Sequence, residues 1–349
     1  MRTSDGRAAG TAWNRLRPPV ESIAALLGLI ATGLTLAAYG GAMWWALDLT
    51  THFRVHYFGG LFVAALLMWL ARRRRLAVLF TVACLLNLGA VAPQYFPRSA
   101  DAEATGPALR LMQMNVRFGN RRHDLVAAAI RRNDPDVLVL QEVNDRWIDA
   151  LSEVLADYPY AAVRTRGLGI GVFSRHELEA EVRTLGDPLP SVVARLSPGD
   201  APLTLIATHP LRPSGGEASR RRDDQLAALA EYVGELDGPV IVLGDLNATP
   251  WSAPFRALLR DTGLRDASRG RGLHATWPAS LPLLRIPIDH CLHSAGIEIA
   301  REAVGSNVGS DHSPLIIDAH VRSRSSGLAS AARSTGRRSP VTGSASRRP

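Results

Sequence analysis

Three apolar runs in the first hundred residues constrain the fold of this chain more than any other feature. They extend from Ile23 to about Leu47, over Tyr57–Ala71 and over Leu76–Phe96. Since about 20 apolar residues cross the hydrocarbon core of a bilayer, the first and third runs are long enough to span it. The second is shorter and needs flanking arginines such as Arg54 to extend their charged groups to the surface. We predict an anchor of three transmembrane helices over residues 21–96.

Two other interpretations of these runs stay open. One is a cleavable signal peptide, although the first run begins after about 20 mostly polar residues and two further runs follow it. The other is a set of buried helices in a soluble protein, because the second run is short for a membrane span.

Arginines flank the runs asymmetrically. Four precede the first run and Arg72–Arg75 separate the second from the third, whereas only Arg54 lies between the first and second. By the positive-inside rule, residues 1–20 and the Arg72–Arg75 loop are cytoplasmic. Three crossings then place the chain after Phe96 outside the cytoplasm.

The net charge of +8, from 40 basic and 32 acidic residues, suggests a nucleic-acid or membrane partner. Residues 1–100 and 321–349 each carry +7, but residues 101–320 carry 23 Arg against 29 acidic residues, a net −6. Affinity for a phosphate backbone depends on Lys and Arg contacts, so the acidic middle argues against general nucleic-acid binding. The Arg121-Arg122 and Arg220–Arg222 clusters are either local basic patches or solvated helix faces.

Composition divides the rest of the chain. Residues 97–108 form a short linker, and residues 321–349 are rich in Ser, Arg, Gly and Ala, which predicts a disordered tail. The two cysteines, Cys84 and Cys291, are too few for a disulfide framework or a zinc site built from cysteines. Residues 109–320 remain as the functional domain.

Apolar strand-like runs alternate with amphipathic segments in this domain, as in a layered α/β fold. The predicted strands are Leu109–Val116, Val137–Gln141, Gly169–Phe173, Ser191–Leu196, Leu203–Thr208, Pro239–Leu243, Ile288–His293, Ile297–Val304 and Pro314–His320. The predicted helices are Arg121–Arg132, Asn144–Leu155, Glu217–Leu236 and Ser252–Leu259. Polar side chains end or follow several strands, which is where α/β folds place their sites. These side chains are Asn115, Glu142, His209, Asp245, Asn247, Asp289, Asp311 and His312.

Each of these side chains also has a structural interpretation. Asp245 and Asn247 alternate by two, so both can point to one side of an extended chain and hold a hard cation or a water, or they can cap the next helix. Glu142 at the end of a buried strand needs a metal or a cationic partner, unless it begins a surface helix. Asp311 and His312 can supply a metal ligand and a base, or form a purely structural pair.

Six segments together resemble the endonuclease/exonuclease/phosphatase superfamily, in the order of its motifs and across nearly all of residues 109–320. They are Met112–Val116, Leu140–Val143, Ala207–Pro210, Gly244–Pro250, Ile288–His290 and Ser310–Pro314. The three-span anchor in front is similar to a bacterial membrane-anchored subgroup, which implies a multi-pass protein of the bacterial inner (cell) membrane.

The resemblance implies a four-layer α/β/β/α sandwich, two packed sheets flanked by helices. It also implies a hydrolase that depends on Mg²⁺, with Mn²⁺ as an alternative. Glu142 would be the principal metal ligand, assisted by Asn115 and Asp311. A phosphoester is anionic, so a divalent cation would neutralise charge as water attacks the phosphorus.

The resemblance also implies five catalytic residues. Asp245 would position or deprotonate the attacking water, and Asn247 would hold the phosphate or that water. Asp289 would orient His312, which would be a base or a phosphate contact. His209 would contact the phosphate or assist the leaving group. Whether Asp245 or His312 takes the proton stays open.

The function expected from these observations is hydrolysis of a phosphoester by a membrane-anchored, divalent-metal-dependent enzyme. The substrate is a lipid headgroup, a soluble phosphoester or DNA, and no protein partner is predicted besides contact with the lipid bilayer. The alternative is a membrane-anchored binding or scaffold protein whose phosphoesterase-like domain has lost catalysis.

Overall fold

The computed structural model describes residues 5–96 and 108–321. The predicted linker before residue 108 and the predicted tail after Val321 lie outside the described residues. Four helices form the N-terminal region: α1 (Asp5–Ala37), α2 (Trp45–Thr51), α3 (Arg54–Leu70) and α4 (Arg74–Val91).

Helices α1, α3 and α4 pack around a small apolar core and present apolar side chains outward. Leu61, Met68 and Phe80 are fully buried between them, whereas Leu66 and Leu85 are more than half exposed. Outward-facing leucines of this kind are typical of helices that contact lipid.

Two helices of the described chain are long and apolar enough to cross a membrane, Pro18–Gly40 and Arg74–Gln94. Helices α2 and α3, which are bent by 63° at their junction, form a third span if they are counted together.

The first apolar run is not one helix as far as Leu47, which corrects the sequence-based boundary. It ends in a 3₁₀ turn at Ala38–Gly40, and Leu47 belongs to the separate helix α2. Glycines allow α2 to fold back closely, because a β-carbon on Gly40 would lie 2.9 Å from Leu47 Cδ1 and one on Gly41 would lie 3.2 Å from Asp48.

Two six-stranded sheets form the domain that follows. Their strands are β1 (Ala108–Asn115), β2 (Val137–Gln141), β3 (Tyr160–Arg164), β4 (Ile170–Ser174), β5 (Leu178–Thr184), β6 (Pro190–Leu196), β7 (Leu203–Ala207), β8 (Val240–Asp245), β9 (Arg265–Asp266), β10 (Asp289–His293), β11 (Ile297–Val304) and β12 (Leu315–Val321). One sheet has the strand order β11-β12-β1-β2-β4-β3, and the other has the order β5-β6-β7-β8-β10-β9. Each contains one parallel pair, β1 with β2 and β7 with β8, among antiparallel neighbours.

The two sheets pack face to face over a core that includes Leu111, Val139, Leu205 and Leu243, all fully buried. Helices cover the outer faces, so the predicted four-layer α/β/β/α sandwich is confirmed. The helices against the first sheet are α5 (His123–Asn133), α6 (Asp145–Ala150) and α7 (Ser152–Leu155); those against the second are α8 (Gly216–Gly234) and α9 (Ala253–Thr262).

Three strands were not predicted from the sequence, β3, β5 and β9. Strands β3 and β5 lie at sheet edges and are exposed along most of their length, so they lack the apolar runs that marked the central strands. Strand β9 has two residues. The segment predicted as one helix over Asn144–Leu155 is instead two short helices that meet at Leu151.

Candidate functional site

The polar side chains predicted from the strand ends converge at one end of the sandwich. Asn115 ends β1, Glu142 follows β2, and Asp245 ends β8 directly opposite Asp289, the first residue of β10. Carboxyl ends of parallel strands share one edge of a sheet, and an antiparallel neighbour begins there. Both sheets therefore direct acidic groups to the same place.

A cavity of about 470 Å³ opens above these strand ends. Six of the eight predicted site residues line it, and Asn115 and Asp289 lie directly beneath, bonded to members of that set. The six are Glu142, His209, Asp245, Asn247, Asp311 and His312.

Asp245 lies at the centre of the site and is almost fully buried. Its Oδ2 lies 3.3 Å from Nε2 of His209 and 3.5 Å from Nε2 of His312, and it accepts a hydrogen bond from Asn115 Nδ2 at 3.3 Å. Oδ1 accepts the backbone N–H of Asn247 at 2.9 Å. One carboxylate thus joins two imidazoles and one amide.

The chain turns between Asp245 and Asn247, which corrects the expectation that the two lie on an extended segment. Asn247 has φ of 49°, a left-handed conformation that asparagine tolerates. Its Nδ2 donates to the carbonyl of Pro210 at 3.0 Å. The turn still places both side chains on the cavity.

Asp289 holds His312 in a fixed orientation. Its Oδ2 lies 2.8 Å from His312 Nδ1 and also accepts the hydroxyl of Thr276, while Oδ1 accepts Gln113 Nε2 at 2.8 Å. Both oxygens are therefore occupied, and His312 presents its other nitrogen, Nε2, to Asp245.

The two histidines are biased toward the protonated form. Burial lowers the pKa of His312, but the adjacent Asp289 and Asp245 carboxylates outweigh burial and raise the pKa to about 10. Burial also lowers the pKa of His209, but its hydrogen bond to Asp245 and the charges of Asp245 and Glu142 together outweigh burial, so the pKa is raised. Burial raises the pKa of Asp245, but the charges of the two histidines dominate and the net shift is downward.

Glu142 brings a second carboxylate to the same point from the first sheet. Its Oε1 accepts Asn115 Nδ2 at 3.0 Å, and its Oε2 accepts the backbone N–H of Phe118 at 3.3 Å. Glu142 has φ of 57°, which costs a non-glycine residue about 1–3 kcal/mol and is typical of functional sites. A single amide group therefore lies between the carboxylates of Glu142 and Asp245.

The carboxylates of Glu142 and Asp245 fit a divalent cation, because a hard metal ion prefers oxygen ligands and would offset their negative charge. Asn115 points its Nδ2 at both carboxylates, while its Oδ1 accepts the backbone N–H of Arg117 at 3.1 Å, so its amide would have to rotate to act as a metal ligand. A second grouping, Asp245, Asp289 and His312, has ligand atoms within 4.8 Å of one another. Glu142 lines the cavity, whereas Asp289 does not line it and is bonded to His312, so the set built on Glu142 fits a metal better. Asp311 lies at the cavity rim, where its Oδ1 is 3.9 Å from Arg117 Nε.

A known protein family matches most of the domain that carries this site. A profile described as the Endonuclease/Exonuclease/phosphatase family matches residues 112–312, more than half of the chain. The chain belongs to that family. No curated protein matches it.

Solved structures of this family have a similar fold. Three of them are an endonuclease/exonuclease/phosphatase from Bacteroides vulgatus (17% identity, 62% of this chain and 99% of the other, TM-score 0.53), D. rerio TDP2 complexed with a single-strand DNA product (19%, 61% and 99%, 0.52) and the human Nocturnin catalytic domain with bound sulfate (19%, 62% and 96%, 0.52). At such identities the likeness extends to the fold alone.

The sequence analysis did not identify three buried polar residues that hold the site residues Asp245 and Asp289 in place. Gln141 accepts the N–H of Asp245 at 3.1 Å and donates to the carbonyl of Thr208 at 2.6 Å, so it joins the two sheets. Gln113 and Thr276 bind Asp289. The sequence signal that could have revealed two of them is a glutamine within one apolar strand, Gln113, and another at the end of a second, Gln141. Both side chains are fully buried in the structure.

Residues of the N-terminal region also border the site, which the sequence analysis did not predict. Leu49, His52 and Phe53 form part of the cavity wall. Asp48 forms a buried ion pair with Arg222 at 3.2 Å, and Arg222 Nη1 donates to the carbonyl of Asn247 at 3.2 Å. The last arginine of the Arg220–Arg222 cluster is therefore buried and does not belong to a solvated face.

Proposed function

We propose that the chain is a membrane-anchored, divalent-metal-dependent phosphoesterase that hydrolyses its substrate with a metal-activated water. The observation that carries the proposal is the convergence of the Asp289–His312–Asp245 chain with Glu142 and Asn115 in one cavity. Oriented histidines beside paired carboxylates are suited to proton transfer and to binding a phosphoryl group.

Glu142 and Asn115 would hold the metal, with Asp311 within reach from the rim. When bound, a divalent cation neutralises phosphate charge and makes a water molecule more acidic. Oxygen ligands favour Mg²⁺, with Mn²⁺ as the alternative.

The remaining residues would act on water and on the phosphate. Asp245, held ionised by two histidines, would orient the attacking water by accepting its hydrogen bond. His312, held by Asp289, would contact a phosphoryl oxygen or exchange a proton through Nε2. His209 would assist the leaving group, and Asn247 would contact the phosphate from the cavity edge.

Residues 21–96 would anchor residues 109–320 to the bacterial cell membrane, with residues 1–20 in the cytoplasm and the catalytic domain outside it. Helix α4 reaches the domain at its carboxyl end, where the carbonyl of Ala90 accepts Trp251 Nε1 at 3.0 Å. The Arg72–Arg75 loop therefore lies at the opposite end of the bundle, as the positive-inside rule requires. Alkaline phosphatase fused to the C-terminus should be active, because this reporter folds only outside the cytoplasm. Inactive alkaline phosphatase, together with activity of a reporter that works only in the cytoplasm when fused at the same position, would reverse the orientation.

The decisive experiment measures hydrolysis of bis(4-nitrophenyl) phosphate and 4-nitrophenyl phosphate by the full chain in nanodiscs. Activity should require Mg²⁺ or Mn²⁺ and disappear with EDTA. Glu142→Ala and His312→Ala should each abolish it, whereas Glu153→Ala, which changes a highly exposed glutamate, should leave it unchanged.

Calorimetric titration with Mn²⁺ separates this proposal from the scaffold alternative. The wild-type chain should bind the ion, and Glu142→Ala should weaken binding. Full activity in both variants, or no metal binding by the wild-type chain, would contradict the proposal.

A further inference from the structure

We infer that the substrate is a phosphoester that carries a hydrocarbon chain and reaches the site from the bilayer, with the chain lying against the wall formed by Leu49 and Phe53. The inference rests on the proposed phosphoesterase function and names its substrate class. The shared chemistry is a phosphate head on an alkyl or acyl tail.

The cavity lining is chemically mixed. It contains the catalytic carboxylates and histidines together with large apolar side chains from both the N-terminal helices and the domain. The large apolar side chains include Leu49, Phe53, Leu211, Trp277, Ile286 and Ile288. A phosphate needs only the polar groups, so the apolar part of the lining fits a hydrocarbon attached to it. The cavity volume of about 470 Å³ lies within the range of sites for small organic ligands.

The apolar wall lies where the anchor meets the domain. Leu49 belongs to α2, and His52 and Phe53 lie in the bend between α2 and α3. Helix α3 runs from this bend to Leu70, and α4 returns to the domain at Ala90. The bend is therefore at the domain-side end of the bundle, so the cavity faces the surface of the membrane that the bundle would span.

An exposed apolar loop continues this surface beside the anchor. Leu281, Leu283 and Leu284 are 51%, 91% and 53% exposed, and the carbonyl of Leu283 lies 3.1 Å from His56 Nε2 near the start of α3. Leucines this exposed next to a membrane helix are suited to insertion at the lipid interface. The loop would hold the cavity mouth against the bilayer.

The charges near the cavity disfavour a nucleic acid as the occupant. Among the described lining residues, Arg212 is the only arginine, and residues 101–320 carry a net −6. A polynucleotide needs a track of basic side chains along its backbone.

Two chromogenic diesters with the same scissile bond test the inference, 4-nitrophenyl methyl phosphate and 4-nitrophenyl octyl phosphate. Water adds to phosphorus, the bond to 4-nitrophenolate breaks, and the alkyl phosphate remains, with one proton released. With the full chain in phosphatidylcholine nanodiscs and Mg²⁺, kcat/KM should be about 100-fold higher for the octyl ester. Each buried methylene favours binding about fourfold, so this figure corresponds to burial of about three to four of the additional carbons against Leu49 and Phe53.

Matched variants separate binding in the cavity from partition into the nanodisc. Phe53→Ser should lower the ratio of the octyl to the methyl value about tenfold, and Leu49→Ser should lower it as a second, independent change. Leu66→Ser, on the outer face of α3, should leave the ratio at its wild-type value because its side chain is exposed away from the cavity.

The outcomes distinguish a failure of this inference from a failure of the proposed phosphoesterase function. A ratio near one with both esters cleaved, or a ratio unaffected by Phe53→Ser and Leu49→Ser, would overturn the lipid-chain inference and leave the phosphoesterase proposal standing. A kcat/KM on a single-stranded DNA oligonucleotide above that on the octyl ester would also overturn it. Cleavage of none of these substrates with Mg²⁺ or Mn²⁺ would remove the proposed function itself.

Discussion

Two buried carboxylate–cation pairs adjoin the candidate site. Asp289 and His312 lie within the domain with their atoms 2.8 Å apart, and Asp48 and Arg222 join the N-terminal helices, the proposed anchor, to the domain at 3.2 Å. Each pair reaches a loop of the site, because His312 contacts Asp245 and Arg222 binds the carbonyl of Asn247.

The two pairs differ in what their cation can do. A histidine can gain or lose its proton, so Asp289 sets the charge and the direction of a group that can take part in acid–base chemistry. An arginine stays charged, so the pair of Asp48 and Arg222 can only hold a position. Asp48 also accepts the backbone N–H of Ala253 at 2.7 Å, at the start of α9. Under the proposed function, the pair of Asp289 and His312 serves catalysis, whereas the pair of Asp48 and Arg222 holds the N-terminal helices against the domain.

The first prediction breaks the domain-side pair. Asp289→Asn should lower kcat by roughly 10²–10⁴, because an amide cannot hold a protonated His312 and favours the wrong tautomer. KM should change little, since Asp289 lies beneath the cavity and does not line it. Steady-state kinetics with the methyl and octyl diesters measure both constants, and an unchanged kcat would show that the pair is structural only.

The domain-side pair could be found in the sequence, and the anchor-side pair could not. Asp289 and His312 each flank an apolar strand, and strands of this kind bring their ends together by sheet topology. Asp48 and Arg222 are 174 positions apart, and neither lies in a local pattern that marks a buried partner. Arg222 follows two other arginines, and a run of three charged residues in a helix usually indicates a solvent-exposed face.

The same contrast explains the remaining gaps between sequence and structure. Central strands such as β2 and β8 are buried on both faces and were predicted to within two residues at each end. The edge strands β3 and β5 lack that pattern. The turn at Asn247 depends on the Asp245 side chain accepting a backbone N–H, a contact that alternation along the chain does not encode.

The second prediction breaks the anchor-side pair. Asp48→Ala should lower the free energy of unfolding by about 3 kcal/mol, the lower end for breaking a buried ion pair. The buried Arg222 guanidinium then keeps only the partly exposed Asp223 carboxylate, at 2.7 Å, as its counter-charge. Urea denaturation of the detergent-solubilised chain provides the measurement. The double variant Asp48→Leu with Arg222→Met should recover most of the loss, and an equal loss in the double variant would mean that the ion pair is not its cause.

The third prediction uses the raised pKa of His312. The folded-state value of about 10 exceeds the ordinary 6.5, so the pair with Asp289 and Asp245 stabilises the fold fully below pH 6.5. This stability is lost as pH rises through 10, at a slope of about 1.4 kcal/mol per pH unit between the two values. Urea denaturation in EDTA between pH 6.5 and 9 should show the fall, and Asp289→Asn should flatten it. A wild-type curve as flat as that of the variant would contradict the assignment.

The fourth prediction concerns a different contact between the anchor and the domain and has the smallest expected effect. Trp251→Phe removes one hydrogen bond to the carbonyl of Ala90 without removing the aromatic ring, so the unfolding free energy should fall by only about 1 kcal/mol. The Asp48→Ala variant breaks a charged contact across the same boundary and should cost several times more. Urea denaturation of the two variants in parallel measures the difference. Equal losses would mean that packing, rather than the Asp48–Arg222 pair, holds the anchor against the domain.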